Sequence, residues 1–97
     1  MGTNEVEVPE ELLLRVAGST NVSSLAAAIS NGIYDSKKVV LRAIGAGPVN
    51  QAVKAIAIAQ QYVGARGLTL ACRPGFATVE VPDGTTSAIV IRVFVSS

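Results

Sequence analysis

A glycine-bracketed turn, Gly45-Ala46-Gly47, joins two segments of different character and constrains the fold of this chain more than any other feature. Residues 37–44 before the turn form an apolar run typical of a buried strand, and residues 48–63 after it repeat apolar side chains at helical spacing. Pro48 suits the first position of a helix, where its missing N–H costs no hydrogen bond. The segment therefore predicts a strand, a tight turn and a helix in immediate succession.

The same turn has the chemistry of an anion site. Because Gly45 and Gly47 lack Cβ, the backbone there can adopt positive φ and an anion can approach it closely. The unbonded N–H groups of a first helical turn and the positive end of the helix dipole attract the same anion. We expect the amides of residues 47–51 to converge on a space that is open to solvent.

Three polar side chains follow the turn, namely Asn50, Gln51 and Lys54. Lys54 lies one helical turn after Asn50, so both side chains project on the same side of the helix. An amide pair and a lysine beside free N–H groups favour phosphate binding. The alternative interpretation is a strand-to-helix connection that binds no ligand and uses the glycines only to turn tightly.

With 97 residues, 49% of them hydrophobic, the chain predicts one compact domain with a small core. So short and apolar a chain leaves apolar surface exposed, and we expect it to associate with itself as a homodimer or a larger oligomer. No apolar run approaches the roughly 18 residues that a membrane-spanning helix needs. We therefore expect a cytoplasmic protein with no membrane contact, with the nucleoid or the nucleus as alternative locations.

The residue types needed for most catalytic and metal sites are missing from the sequence. It contains no histidine and one cysteine, Cys72, which excludes most zinc sites, disulfide frameworks and histidine-based proton transfer. Cys72 falls within an apolar strand pattern, as is typical of a packed small side chain. We predict that the protein is not an enzyme and uses neither a metal nor a cofactor.

Charge is divided unevenly along the chain. Residues 1–11 hold four of the seven acidic side chains and none of the eight lysines and arginines, although the overall net charge is only +1. This contrast predicts a flexible acidic extension at residues 1–11 and a single domain at residues 12–97. The basic excess of that domain is compatible with a polyanionic partner.

Hydrophobic periodicity predicts the order strand, helix, strand, helix, strand, strand. The strands fall at residues 12–17, 37–44, 68–73 with 78–81, and 88–95, and the helices at about residues 22–32 and 48–63. Asn21 caps the first helix, which ends near Asn31-Gly32, while Pro74-Gly75 interrupts the third strand and Asp83-Gly84 turns into the last one. The pattern predicts an α+β fold: a mixed four-stranded sheet with two helices on one face, its first two strands joined by a parallel right-handed crossover.

Each predicted strand also carries one arginine on the face opposite its apolar residues. These arginines are Arg15, Arg42, Arg73 and Arg92. With both helices packed on the apolar side, we expect the four guanidinium groups to gather on the other side of the sheet, where their forked donors suit phosphate oxygens. The alternative is a solvated face that Glu80 or the acidic extension partly neutralises.

The segment from Arg42 to Ala59 resembles the signature of the stage V sporulation protein S family. It agrees with that signature at the glycines, the amide pair and the lysine together, and the resemblance extends from about Leu14 to Val95. This family is similar to the Alba group of nucleic-acid-binding proteins, which has the element order predicted above. The resemblance therefore implies a two-layer, Alba-like βαβαββ fold.

The resemblance also implies where partners bind. Proteins of this type form homodimers, with the glycine turn and second helix near both the subunit interface and the nucleic acid. The residues implied are Arg42, Gly45, Gly47, Asn50, Gln51 and Lys54. This chain departs from Alba proteins at residues 18–21, which lack their lysine pair, and at residues 82–85, where their hairpin tip is basic. These departures argue against an Alba-like wrapping of DNA.

We expect a small dimeric protein that binds DNA or RNA through phosphate contacts with little sequence preference, and that is regulatory as in the sporulation protein S family. Arg73 joins the residues named above as a candidate contact. Two alternatives come from other classes. One is a protein-interaction or scaffold module, and the other is a domain that binds a nucleotide or small phosphate at residues 45–51.

Overall fold

A computed structural model describes residues 9–96 of the chain and shows two helices on a four-stranded sheet. The elements are β1 (Glu11–Val16), α1 (Val22–Tyr34), β2 (Lys38–Ala43), α2 (Ala46–Gly64), β3 (Thr69–Val81) and β4 (Gly84–Ser96). The strand order is β1-β2-β4-β3, with β1 parallel to β2 and β4 antiparallel to both of its neighbours. The predicted βαβαββ order, the mixed sheet and the parallel pairing of the first two strands are confirmed.

One face of the sheet packs against both helices and forms the core. Strand residues of this face alternate with residues of the open face, as a pleated strand requires. Helix α2 contributes mainly alanines, whose small side chains let it approach the sheet and α1 closely. The buried cluster includes Ile29 of α1, Val39 and Leu41 of β2, Ala52, Ala55 and Ala59 of α2, and Ile91 and Val93 of β4.

Helix α1 is longer than predicted, because Gly32 does not end it. The Asn21 side chain accepts a hydrogen bond from the Ser24 N–H at 2.9 Å, which confirms the predicted N-cap. A Cβ added at Gly32 would lie 2.8 Å from Val39 Cγ2 and 2.9 Å from Leu12 Cδ2. This glycine therefore permits close packing of the helix on the sheet, and α1 continues to Tyr34.

Strands β3 and β4 form one long hairpin, so the predicted interruption at Pro74-Gly75 is wrong. Pro74 pairs with Ile91 in an unbroken ladder. Because β3 is an edge strand, only one of its sides needs ladder hydrogen bonds, and proline is tolerated there. Strand β4 also starts earlier than predicted, at Gly84, whose φ is 134°.

The hairpin is longer than the rest of the sheet. Pairing of β2 with β4 stops at Ala43 and Ile89, whereas β3 and β4 continue together to Val81 and Gly84. The last five residue pairs of the hairpin therefore project beyond β2. This arm could not be anticipated from two short predicted strands.

At the amino-terminal side, β1 includes Glu11, and the carbonyl of Glu10 accepts a hydrogen bond from the Lys38 N–H at 2.8 Å. The sheet thus starts slightly before the predicted domain boundary at residue 12. Most of the predicted acidic extension, residues 1–8, lies outside the described residues. Among residues 9–96, neither helix is long and apolar enough to span a membrane.

Candidate nucleic-acid interface

The start of α2 is the first part of the candidate interface. The helix begins at Ala46, two residues earlier than predicted, so Pro48 occupies its third position. Gly45 precedes the helix with φ of 98°, a conformation that favours glycine. The predicted turn from strand into helix is therefore present, although its second glycine already belongs to the helix.

Fewer amides are available at this helix start than predicted. The Val49 N–H donates to the Gly45 carbonyl at 3.1 Å, and proline has no N–H to offer. Helix geometry leaves the N–H groups of Ala46 and Gly47 without an intrahelical acceptor. A Cβ added at Gly47 would meet no heavy atom within 4 Å, so this backbone is open to an approaching oxyanion. The prediction that the amides of residues 47–51 all converge on open space is therefore wrong, because the Val49 N–H is already bonded and Pro48 has no N–H.

Gln51 holds the helix start in place. Its Nε2 donates to the Thr20 carbonyl at 2.9 Å, which ties α2 to the loop after β1. That loop is closed by Thr20 itself, whose Oγ1 accepts a hydrogen bond from the Ala17 N–H at 2.8 Å. Because β1 and β2 are parallel, the loop after β1 and the turn after β2 lie at the same end of the sheet. Sequence reasoning missed Thr20, since a threonine in a turn gives no signal for a contact 31 residues away.

Asn50 and Lys54 are exposed on the outer side of α2, as the predicted helix implies. They share that side with apolar residues, because Val53 is 55% exposed and Ala57 is exposed as well. Ile44, just before the glycine turn, is 42% exposed. The helix start therefore combines polar groups that suit an anion with apolar groups that suit a protein surface.

The four strand arginines form the second part of the candidate interface. Arg15 pairs with Arg42 across β1 and β2, and Arg73 pairs with Arg92 across β3 and β4. Residues directly opposite each other share a face, and the β2–β4 register places both pairs on the face opposite the helices, in rows two residues apart. The predicted gathering of the arginines is confirmed.

Residues 12–96 match the profile of the stage V sporulation protein S (SpoVS) family. The chain belongs to this family. Its fold is also similar to a solved structure, Alba from Thermoplasma volcanium, with a TM-score of 0.59 and 15% sequence identity over 89% of this chain and all of the Alba chain. The SpoVS-family chain is thus Alba-like in fold.

In this SpoVS-family chain the candidate residues fall into two groups. Gly45, Gly47, Asn50 and Lys54 lie at the start of α2, while Arg42 and Arg73 lie on the open face of the sheet. Arg42 is half-buried, three residues before Gly45, and is the link between the groups. Gln51 belongs to the first group by position but already bonds to the protein.

The hairpin adds exposed apolar surface at Phe76, just before its projecting part begins, which sequence reasoning did not find. Phe76 is 82% exposed, the highest value of any large apolar side chain in the described part of the chain. Phe76 pairs with Ile89, which itself pairs with Ala43. It therefore lies at the end of the sheet where β2 finishes and α2 starts. The signal that could have revealed this arm is the alternation of residues 76–81.

Proposed function

We propose that this SpoVS-family protein is a homodimer that binds DNA or RNA through phosphate contacts, with little preference for base sequence. The observation that carries the proposal is the placement of four arginines in two adjacent rows on one face of the sheet. Guanidinium groups bind phosphate through paired, charge-assisted hydrogen bonds.

The surroundings of these arginines fit a polyanion. Arg15, Arg73 and Arg92 are exposed, and the guanidinium of Arg73 lies 5.7 Å from the centre of the Phe94 ring. A ring under a guanidinium restricts its motion without using its hydrogen-bond donors. A nucleic-acid strand crossing this face would meet cations from all four strands, and the start of α2 offers a further phosphate contact beside it.

Few side chains on this surface are suited to recognising bases. The four described aromatic residues are spread over the molecule, whereas stacking platforms gather several aromatic rings on one surface. Phosphate contacts fix position and carry no direct sequence information. We therefore assign the affinity to electrostatics, which makes it depend on salt.

Exposed apolar surface supports the proposed homodimer. Ile44, Val53 and Phe76 are 42%, 55% and 82% exposed, and all three lie toward the end of the sheet where α2 starts. Burial of such side chains against a second copy would remove them from water. Light scattering should give twice the chain mass, and Phe76→Asp should shift the protein toward monomer while Val81→Asp, farther out on the hairpin, should not.

The binding itself is tested by electrophoretic shifts with single- and double-stranded DNA and RNA at two salt concentrations, together with thermal shifts for a panel of mononucleotides. We expect polymers to bind, and the polymer that binds more tightly to stabilise the protein more at equal concentration. Stabilisation by a mononucleotide equal to that by polymers would instead establish a small-phosphate site. No binding of any nucleic acid at low salt would contradict the proposal and favour a protein-interaction module.

A further inference from the structure

The outer edge of β3 presents main-chain hydrogen-bonding groups on the side away from β4. In the sheet formed by residues 9–96, β3 is an outermost strand and β4 is its neighbour on the other side. Pro74 lies in an unbroken ladder with β4, and proline fits such a strand where its nitrogen faces outward. Successive residues of an antiparallel strand direct their N–H and C=O groups to alternate sides. The even-numbered residues of β3 therefore direct theirs outward.

Gln60 of α2 supports this alternation and covers the first part of the edge. Its side-chain Oε1 accepts a hydrogen bond from the Leu70 N–H at 2.7 Å, and its Nε2 donates to the Leu68 carbonyl at 3.0 Å. Both main-chain groups belong to even-numbered residues, as the position of Pro74 requires. The amide of Gln60 thus takes the place of a neighbouring strand at Leu68 and Leu70.

The rest of the edge is accessible. The even-numbered residues from 72 to 80 are all exposed, and Phe76 exposes 82% of its surface. An open strand edge of this kind is a template for pairing with another strand. Between Pro74 and Pro82, which have no N–H, the edge keeps three outward N–H groups, those of Phe76, Thr78 and Glu80.

We propose that this edge pairs antiparallel with β3 of a second copy, about a two-fold axis at Thr78. The pairing rests on the homodimer proposed above and forms its interface. Thr78 then lies opposite the partner's Thr78, Phe76 lies opposite the partner's Glu80, and Pro74 lies opposite the partner's Pro82. All three N–H groups of each copy meet a carbonyl, and the prolines face each other, so no N–H is wasted on a proline.

Charge and apolar surface both favour a second copy as the occupant. The edge is basic at one end, where Arg73 is exposed, and acidic at the other, where Glu80 and Asp83 are exposed. Antiparallel pairing brings the basic end of each copy toward the acidic end of the other, whereas parallel pairing would bring like charges together. The added strand also covers part of Phe76, which supplies an apolar contact beside the main-chain bonds.

Sedimentation equilibrium of the full-length chain gives the first test. Thr78→Pro removes one outward N–H per copy and leaves the β3–β4 ladder intact, as Pro74 already does in the same strand. It should weaken dimerisation at least about 30-fold, because two hydrogen bonds between the copies are lost. Thr78→Ala, the matched control, removes the same side chain but keeps the N–H and should dimerise about as well as the unmodified chain.

Amide hydrogen exchange, followed by NMR, locates the interface in the unmodified chain. At a concentration where that chain is dimeric, the Phe76 and Glu80 amides should exchange at least about tenfold more slowly than in Thr78→Pro. Their protection should fall when the unmodified chain is diluted. The Cys72 amide also points outward but lies outside the paired segment, so it is the internal control and should exchange rapidly throughout.

The possible failures can be told apart. A dimeric mass with rapid exchange at Phe76 and Glu80 would overturn the edge pairing and leave the homodimer in place, and so would equal dimerisation of Thr78→Pro and Thr78→Ala. Protection that does not change on dilution would mean that the occupant belongs to the same chain, which also overturns the pairing. A single-chain mass at every concentration would refute the homodimer itself.

Discussion

The two ends of the sheet both present cations, but they place them in different surroundings. At the end where β1 and β2 finish, Arg42 lies three residues before the helix cap Gly45, and α2 follows with open backbone at Gly47 and an exposed Lys54. At the other end, Lys37 and Lys38 border an apolar groove lined by residues of α1, β2 and β4. Positive charge alone does not define a ligand, since only the first setting combines it with open backbone that a hydrated phosphate chain can approach.

Charge reversal at each end separates the two settings and has the largest expected effect. Arg42→Glu/Lys54→Glu should weaken nucleic-acid binding by about 100-fold at low salt, because a phosphate that no longer meets a cation keeps its bound counterions and their release stops favouring the complex. Lys37→Glu/Arg66→Glu makes the same change in net charge away from the arginine face and should cost much less affinity. Fluorescence anisotropy measures both. Equal reductions in affinity would mean that only the total charge matters.

Two glycines at the first end distinguish backbone strain from ligand access. Gly45→Ala should destabilise the protein by about 1–2 kcal/mol, because φ of 98° is unfavourable for alanine. Gly47→Ala places a methyl group in open space inside a helix and should stabilise by about 0.5–1 kcal/mol.

Urea unfolding measures these stability changes, and nucleic-acid titration supplies the second readout. Gly47→Ala should bind more weakly despite its greater stability, since the new methyl group stands where a phosphate would approach the backbone. If Gly47→Ala binds as well as the unmodified chain, the α2 start does not contact phosphate, and binding would rest on the arginine face alone.

The smallest effect is expected at Gln51. Replacing it with alanine removes the hydrogen bond to the Thr20 carbonyl and should cost about 1 kcal/mol of stability. Nucleic-acid affinity should fall by no more than about threefold, because the side chain bonds to the loop after β1 and only positions the start of α2. Calorimetric unfolding and the same titration check this. A larger fall in affinity with unchanged stability would make Gln51 a direct contact.

Local sequence pattern predicted the features that depend on periodicity. Alternation along each strand placed Arg15, Arg42, Arg73 and Arg92 on one face, because the face of a strand residue follows from its parity once the apolar side is known. The N-cap at Asn21 was equally readable, since a capping oxygen acts on an N–H three residues away.

The features that were missed depend on how distant strands line up. Pro74 looked like a break because its tolerance depends on β3 being an edge strand. Gly32 resembled a helix end in the sequence. Its actual role is to avoid a clash with Val39 and Leu12, which only the packing of α1 on the sheet reveals. The groove is set by where β2 starts relative to the end of β4, which no local pattern encodes.

The salt dependence of duplex DNA binding by Arg73→Gln and Arg66→Gln tests the central claim most directly. Both arginines stack on an aromatic ring, Phe94 and Tyr34 respectively, and both substitutions remove one charge, but Arg66 lies away from the arginine face. We predict that the slope of log affinity against log salt becomes shallower by about 0.9 for Arg73→Gln and stays unchanged for Arg66→Gln. Identical slopes for the two variants would contradict phosphate binding on the arginine face.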